Sequence, residues 1–262
     1  MLAYSDTHSS KPTLLFIHGL GLNKNIWNST IQQLSPHFRC IALDLPGHGD
    51  SRTLPATGRM SDYVASIREF VVKMNLQDVT IVGHSMGGQI AIILSLQMSA
   101  TVTKLILIAS AGIESFTKEE GEKLKHGTRA IYSNPLTDEL LERTFFHARP
   151  EIKSLLMQEH LVQKRENFKK LSDLITNSVE GMLDEPVVDY LDKISQPVLC
   201  IYGQLDAAIP NRWLHPQQSV QSVLQVASTR FSHCTTAIFP FSGHYLPVDQ
   251  PEALSEEILR FV

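Results

Sequence analysis

The stretch VTIVGHSMGGQIAI, residues 79–92, runs from β-branched residues into a serine flanked by glycines. Its first residues predict a buried strand, and residues 86–98 predict a helix that starts directly after Ser85. A chain that turns this sharply strains its apex residue, and side chains two positions to either side would collide with neighbouring structure. Gly83 and Gly87 remove that obstruction. The Ser85 hydroxyl is therefore predicted to project beside a helix N-terminus, which favours developing negative charge and suits a nucleophile.

Short apolar runs alternate with longer amphipathic stretches along the 262 residues. Runs that are apolar at almost every position are typical of parallel strands covered by helices on both faces. The predicted strands are 13–19, 40–45, 79–83, 104–110, 197–203 and 236–241. The predicted helices are one near 26–34, about 61–75, 86–98, about 211–227 and 251–261. This alternation predicts an α/β fold whose mostly parallel sheet has its functional edge at the carboxyl ends of the strands.

One segment, residues 112–195, contains a succession of helical stretches, such as 137–148, 151–171 and 186–194, and no convincing strand. We interpret it as a helical cap inserted into a core formed by residues 1–111 and 196–262. Because the cap leaves past the carboxyl end of one strand and returns before the next, it should lie at the functional edge. Its apolar residues are candidates for a pocket wall, although helix-spaced apolar residues more often pack on the body beneath them. They include Phe116, Tyr132, Phe145, Phe146, Leu155 and Met157.

A serine hydroxyl becomes a good nucleophile when a base removes its proton, so a histidine and a carboxylate should follow Ser85 along the chain. Asp206 comes a few residues after the strand predicted at 197–203, and His244 follows the last predicted strand. Each lies past a carboxyl end, at the same edge as Ser85. We therefore predict that Ser85, His244 and Asp206 form a catalytic triad. His84, next to the nucleophile, is on the wrong side of the turn to reach the hydroxyl and is predicted to pack.

Attack on a carbonyl creates an oxyanion, which needs N–H donors already in place. The backbone N–H of Met86, directly after the nucleophile, is one predicted donor. The second is expected in the loop HGLGLN after the first predicted strand, where Gly19 and Gly21 let the backbone approach a substrate closely. Within that loop, the backbone N–H of Leu20 is the predicted donor.

The composition indicates a small-molecule partner. The formal net charge is −4 and the charged residues are dispersed, so the chain lacks the basic footprint of a nucleic-acid or anionic-membrane protein. Apolar runs such as LILIA are too short to span a bilayer, and the first residues do not resemble a leader, so a soluble cytoplasmic protein is expected. Neither H-x-x-x-H nor C-x-x-C occurs, and we expect neither a metal nor a cofactor.

Five motifs in order carry a family resemblance: LLFIHGLG, ALDLPGHGDS, VGHSMGG, YGQLDAAIP and GHYLPVDQPEAL. With them the chain resembles the α/β-hydrolase superfamily, in its capped, esterase- and lipase-like branch. The resemblance implies a catalytic triad of Ser85, Asp206 and His244, with Leu20 and Met86 as oxyanion donors. It also implies that DLPGHGDS shapes the pocket edge, with no catalytic role for Asp44. The family's first strand has no counterpart here, which implies a sheet of about seven strands.

The predicted reaction is a two-step acyl transfer. Ser85 attacks a small or medium carboxylic ester, the alcohol leaves, and water releases the acid without a cofactor. Alternatives in the same fold are a carbon–carbon bond hydrolase, a perhydrolase or an acyltransferase. Carbon–carbon hydrolases of this fold often carry Asn before the nucleophile, where this chain has His84. A ligand receptor without catalysis is a further alternative, although such proteins usually lack part of the triad.

Overall fold

The protein is built on one mixed sheet. The structure, a computed structural model, describes residues 1–132 and 168–262. The strands in chain order are β1 (Tyr4–Asp6), β2 (Thr13–Ile17), β3 (Arg39–Leu43), β4 (Val79–His84), β5 (Val102–Ile108), β6 (Val198–Gly203) and β7 (Cys234–Phe239). They form a seven-stranded sheet in the order β1-β3-β2-β4-β5-β6-β7. Only β1 runs antiparallel to its neighbour, and every other neighbouring pair in this sheet is parallel.

Helices connect these strands and cover the sheet. In the described residues they are α1 (Asn28–Leu34), α2 (Met60–Lys73), α3 (Met86–Gln97), α4 (Lys118–Tyr132), α5 (168–184), α6 (Val220–Arg230), α7 (Leu246–Asp249) and α8 (Pro251–Phe261). Short 3₁₀ turns lie at Lys24–Trp27, Gly49–Ser51 and Val188–Lys193. None of the helices in residues 1–132 and 168–262 has the length and apolar character that crossing a bilayer requires.

The centre of the sheet is covered on both faces, as the apolar runs predict. Every residue of β4 and of β6 is buried. Helix α3 packs on β4 and β5 and is itself covered by α2. This placement explains why α3 is apolar around most of its circumference, whereas α2 buries one face only. Ser85 is thereby held between two elements, β4 and α3, that are buried along most of their length.

The sequence-based assignment missed one strand and misplaced one helix. All six predicted strands are present, but β1 is an additional edge strand of three half-buried or exposed residues, too short and too polar to give an apolar run. The helix predicted at 211–227 begins at Val220 instead. Pro216 interrupts the earlier part, and Ser219 accepts a hydrogen bond from the backbone N–H of Ser222 as the N-cap of the real helix.

The segment predicted as a cap contributes α4 and α5 and the 3₁₀ turn at Val188–Lys193, with no strand in its described part. The helical stretch predicted at 137–148 lies outside the described residues, as does most of the stretch at 151–171. The same holds for four of the candidate pocket residues, Phe145, Phe146, Leu155 and Met157. The division into a core of 1–111 and 196–262 and a cap of 112–195 therefore stays a prediction.

Candidate active site

Ser85 lies at a strained turn between β4 and α3. Its backbone has φ 54° and ψ −120°, a combination that non-glycine residues rarely adopt. The neighbouring glycines are required sterically, because a Cβ on Gly83 would lie 2.5 Å from the Gly87 carbonyl oxygen. A Cβ on Gly87 would lie 2.4 Å from the Ile17 carbonyl oxygen, on the adjacent strand. The structure thus gives the physical reason for the glycines that flank Ser85 in the sequence.

The Gly87→Ala variant is expected to be less stable than the wild type by roughly 1–3 kcal/mol, because its methyl group meets backbone atoms that cannot rotate away. Gly121→Ala is a matched control in α4, since no neighbouring atom lies within 4 Å of a Cβ built there. That variant should be neutral or gain up to about 1 kcal/mol from helix propensity. Urea unfolding of both variants measures the difference. Equal stabilities would contradict the packing account of the turn.

The structure brings the three predicted triad residues together. His244 Nε2 lies 3.0 Å from Ser85 Oγ, and His244 Nδ1 lies 2.9 Å from Asp206 Oδ2. Ser85 follows β4, Asp206 comes three residues after β6, and His244 lies in the loop after β7. Parallel strands present their carboxyl ends at one edge, so residues that are far apart in sequence meet there. The side chains form one continuous chain of hydrogen bonds from hydroxyl to carboxylate.

Asp206 is completely buried, and each of its carboxylate oxygens has a hydrogen-bond partner. Its Oδ1 accepts from the backbone N–H groups of Ala208 (2.8 Å) and Ile209 (2.9 Å), which leaves Oδ2 for His244. Burial alone would raise the pKa of Asp206, but the His244 charge, the His244 hydrogen bond and the two backbone donors outweigh it, and the pKa lies below its usual value. The ionised carboxylate can only accept, so His244 carries its proton on Nδ1 and presents the Nε2 lone pair to Ser85.

The loop predicted to supply the second oxyanion donor packs directly against the nucleophile. A Cβ on Gly19 would lie 3.0 Å from the Ser85 Cβ. The Gly19 carbonyl is held by His18, whose Nδ1 donates to it at 2.7 Å while Nε2 accepts from the Leu45 N–H at 3.1 Å. Because a trans peptide points its C=O and N–H in opposite directions, this bond also fixes the direction of the Leu20 N–H.

Asp44 anchors the same loop from the other side. Its buried carboxylate accepts from the Lys24 N–H and the Lys24 ammonium, both at 2.7 Å, and from the Asp50 N–H at 2.9 Å. These bonds connect Asp44 to Lys24 and Asp50, and the absence of a catalytic role for Asp44 stays a prediction. The other predicted donor, Met86, is the first residue of α3, so its N–H has no acceptor within the helix. The donor roles of Leu20 and Met86 stay predictions.

His84 makes a hydrogen bond in addition to packing next to Ser85. Its ring is fully buried, and Nε2 lies 2.8 Å from the backbone carbonyl oxygen of His244. Burial, reinforced by the nearby His244, lowers the pKa of His84 to about 3, so the ring is neutral at physiological pH. A carbonyl accepts only, so Nε2 carries the single proton of this ring. The packing role predicted from the sequence is thus incomplete, because a hydrogen bond to a residue 160 positions away is not visible in a sequence pattern.

A cavity of about 720 Å³ opens onto Ser85 and His244. Its wall combines the core with α4, α5 and the segment after α5, and it includes Phe116 but not Tyr132. The lining from the predicted cap is mainly apolar, although it also includes the polar residues Glu114, Ser115, Thr128 and Asp189. Its apolar residues are Phe116, Leu124, Val179, Met182, Leu183, Pro186, Val187 and Val188. A cavity of this size and character is typical of small-molecule sites.

Helix α5 is fixed to the core at its carboxyl-terminal half. Gln89, four residues after the nucleophile, donates from Nε2 to the carbonyl oxygens of Met182 and Glu185, each at 2.9 Å. The Glu185 carboxylate accepts from the N–H groups of Met60 (3.2 Å) and Ser61 (2.9 Å) at the start of α2. One wall of the cavity therefore has a defined position relative to Ser85.

A buried acid beside the cavity was not identified from the sequence. Glu114 accepts from the Asn211 N–H at 2.9 Å and pairs with His215, on which Phe116 stacks. Burial raises the pKa of Glu114 despite these donors. Burial lowers the pKa of His215, but the neighbouring Glu114 carboxylate outweighs this effect, and the pKa of His215 lies above its usual value. This cluster ties the start of the predicted cap to the loop after Asp206. Its members are separated by about 100 residues, and no local motif joins them.

Known proteins resemble this chain over most of its length. The alpha/beta hydrolase fold family model matches residues 12–234. The pimeloyl-[acyl-carrier protein] methyl ester esterase of Vibrio vulnificus strain YJ016 is 26% identical over 97% of this chain and 96% of that protein. The protein of the same name from Nitrosospira multiformis is 28% identical over 98% and 97%.

The solved structure of a thermophilic esterase from Thermogutta terrifontis, 23% identical, superposes with a TM-score of 0.79 and covers 99% of this chain and 92% of that one. At that identity the likeness supports the fold alone. The family model, by contrast, extends over the elements that carry Ser85 and Asp206. The chain belongs to the alpha/beta hydrolase fold family.

Proposed function

We propose that the protein is a serine carboxylesterase that cleaves a small or medium carboxylic ester through an acyl-enzyme on Ser85. The observation that carries the proposal is the chain of hydrogen bonds from Ser85 Oγ through His244 to the buried Asp206. A hydroxyl in contact with an imidazole that a carboxylate orients is the arrangement of nucleophilic acyl transfer. The protein is an ester-hydrolysing enzyme, and the three side chains supply the nucleophile, the base and the group that orients the base.

In the first step, Ser85 Oγ attacks the ester carbonyl carbon while His244 Nε2 takes the hydroxyl proton. The backbone N–H groups of Leu20 and Met86 stabilise the oxyanion that forms. Asp206 stabilises the imidazolium, since its pKa lies below the usual value and it remains ionised. When the tetrahedral intermediate collapses, His244 gives the proton to the departing alcohol, and the acyl group remains on Ser85.

In the second step, a water molecule gives a proton to His244 Nε2 and attacks the acyl carbonyl. Collapse of the second intermediate returns that proton to Ser85 Oγ and releases the acid. Besides the ester and water, these steps use only side-chain and backbone groups of the chain, so the proposed mechanism calls for neither a metal nor a cofactor.

The size and apolar wall of the cavity support the proposal that the enzyme selects its substrate by an acyl group of medium length. The two relatives are named for a methyl ester, which has a small alcohol, and the apolar wall from α4 and α5 suits an alkyl chain. Each methylene buried there contributes about 0.8 kcal/mol, which is about fourfold in kcat/KM.

A series of p-nitrophenyl esters from acetate upward tests this proposal. We expect kcat/KM to rise by up to about fourfold per methylene to a maximum at medium length and then to fall as the cavity is filled. Leu183→Trp places a larger side chain in the wall and so narrows the cavity. It should lower kcat/KM for medium esters more than for acetate. A series that is flat or falls from acetate onward would contradict the pocket assignment. Ligand binding without any turnover would favour a receptor instead.

A further inference from the structure

We propose that His84 is a positioning residue of the esterase reaction, and that its hydrogen bond to the His244 carbonyl holds the base in line with Ser85. The inference rests on the proposed function, because it assigns a role in activating Ser85. His84 itself touches neither the hydroxyl nor the substrate cavity among its recorded contacts. It acts through the backbone of the residue that does.

The His244 carbonyl needs a partner from outside its own segment. Helix α7 starts just after His244, and its first accepting carbonyl is that of Tyr245, which receives the N–H groups of Val248 and Asp249. The preceding carbonyl, that of His244, therefore lies outside the helical hydrogen bonding. His84 Nε2 donates to it at 2.8 Å. The donor is the fully buried ring of His84, so this bond stabilises one orientation of the peptide that follows His244.

The segment before His244 is held as well. The Gly243 N–H donates to the Asp249 carboxylate at 2.8 Å, and the imidazole is held by Asp206 at 2.9 Å. The contact from His84 differs from these because it comes from the residue adjacent to the nucleophile. It joins the turn that carries Ser85 directly to the loop that carries the base. The 3.0 Å separation between Ser85 Oγ and His244 Nε2 is thus supported by a link from the side chain next to Ser85 to the backbone of His244.

The chemistry also requires this histidine to be uncharged. The rings of His84 and His244 have centroids 5.0 Å apart, and the His244 ring becomes positively charged during each step. A charged neighbour at that distance would oppose the imidazolium. His84 is enclosed by the rings of Trp27, Tyr245 and His244, and this burial keeps it neutral. A permanently charged side chain could donate the same hydrogen bond but would raise the energy of the transition state.

The test compares His84→Leu, which removes the donor, with His84→Gln, whose amide nitrogen can occupy the position of ring Nε2. We expect the Leu variant to lose about 10- to 100-fold in kcat with KM for a p-nitrophenyl ester nearly unchanged, because a base displaced by about 1 Å is inefficient. The Gln variant should keep kcat within about fivefold of the wild type, the cost of one imperfect hydrogen bond. Labelling of Ser85 by a fluorophosphonate should slow in parallel with kcat.

Gln196→Leu is a matched control for the loss of a buried donor. Gln196 Nε2 donates to the carbonyl oxygens of Ser95 and Val102 at the opposite edge of the sheet. This variant should lose stability without a loss of kcat. Should His84→Leu not fold, His84→Asn replaces it, because its shorter amide cannot reach the His244 carbonyl, and it should show the low kcat.

Two results would overturn the inference. One is a donor-free variant with wild-type kcat, and the other is an equal loss in the Gln and donor-free variants. The proposed function has a separate test in the wild-type enzyme. If that enzyme hydrolyses esters and is labelled on Ser85, a negative result at His84 removes only the positioning role. If it does neither, the proposed function fails first.

Discussion

Replacement of Ser85 by alanine is expected to lower kcat for ester hydrolysis by about 10⁴- to 10⁶-fold. The hydroxyl is the atom that His244 Nε2 contacts at 3.0 Å, and without it no acyl-enzyme forms. The initial burst of p-nitrophenol should disappear together with turnover. The melting temperature should change little, because the variant loses one oxygen atom at a partly exposed position and keeps the strained backbone.

Ser95→Ala is the matched control for that substitution. Ser95 is a buried serine on α3 whose Oγ donates to the Ile92 carbonyl at 2.8 Å, and it has no histidine partner among its described contacts. The control should retain esterase activity. Wild-type turnover of a p-nitrophenyl ester by the Ser85→Ala protein would contradict the account.

Asp206→Asn is expected to lower kcat by about 10⁴-fold, although it changes almost no volume. The N–H groups of Ala208 and Ile209 must still be accepted, so the amide oxygen takes the place of Oδ1. The amide NH₂ then faces His244 Nδ1, which can hold the contact only as an acceptor. The His244 proton moves to Nε2, and the ring presents a donor to Ser85 where catalysis needs an acceptor.

Steady-state kinetics and thermal unfolding of Asp206→Asn separate this explanation from unfolding. The expected pattern is a folded protein with KM close to that of the wild type and a very low kcat. A loss of kcat smaller than about tenfold would mean that Asp206 does not set the tautomer of His244. If unfolding of the variant accounted for the whole loss of kcat, the result would likewise not support a role for Asp206 in setting the tautomer of His244.

The sequence predicts most of the fold because six of the seven strands in the described sheet give a local signal. The apolar runs that become β2 to β7 are each recognisable without knowledge of their neighbours. The edge strand β1 has no apolar run, because it consists of only three residues, Tyr4–Asp6, and its burial is slight. The start of α6 was predictable in principle, since Pro216 and the Ser219 cap both mark it.

The residues of the predicted triad were recognisable because each follows a strand end, and the sheet brings those ends together. The contacts that support the site have no such signal. His84 reaches the His244 carbonyl, Gln89 reaches the carbonyl groups after α5, and Glu114 pairs with His215 across about 100 residues. Each is a long-range contact between a side chain and an irregular segment, and its geometry depends on the folded core.

The reactivity of Ser85 towards an electrophilic probe shows directly whether it is the activated nucleophile. Intact-mass analysis after treatment with a fluorophosphonate, followed by mapping of the modified peptide, measures this in one experiment. We predict one adduct per chain, located on Ser85, formed in step with the loss of esterase activity and much more slowly in a His244→Ala variant. An unmodified Ser85 in protein that has lost its activity to the probe, or an adduct on another residue, would contradict the account.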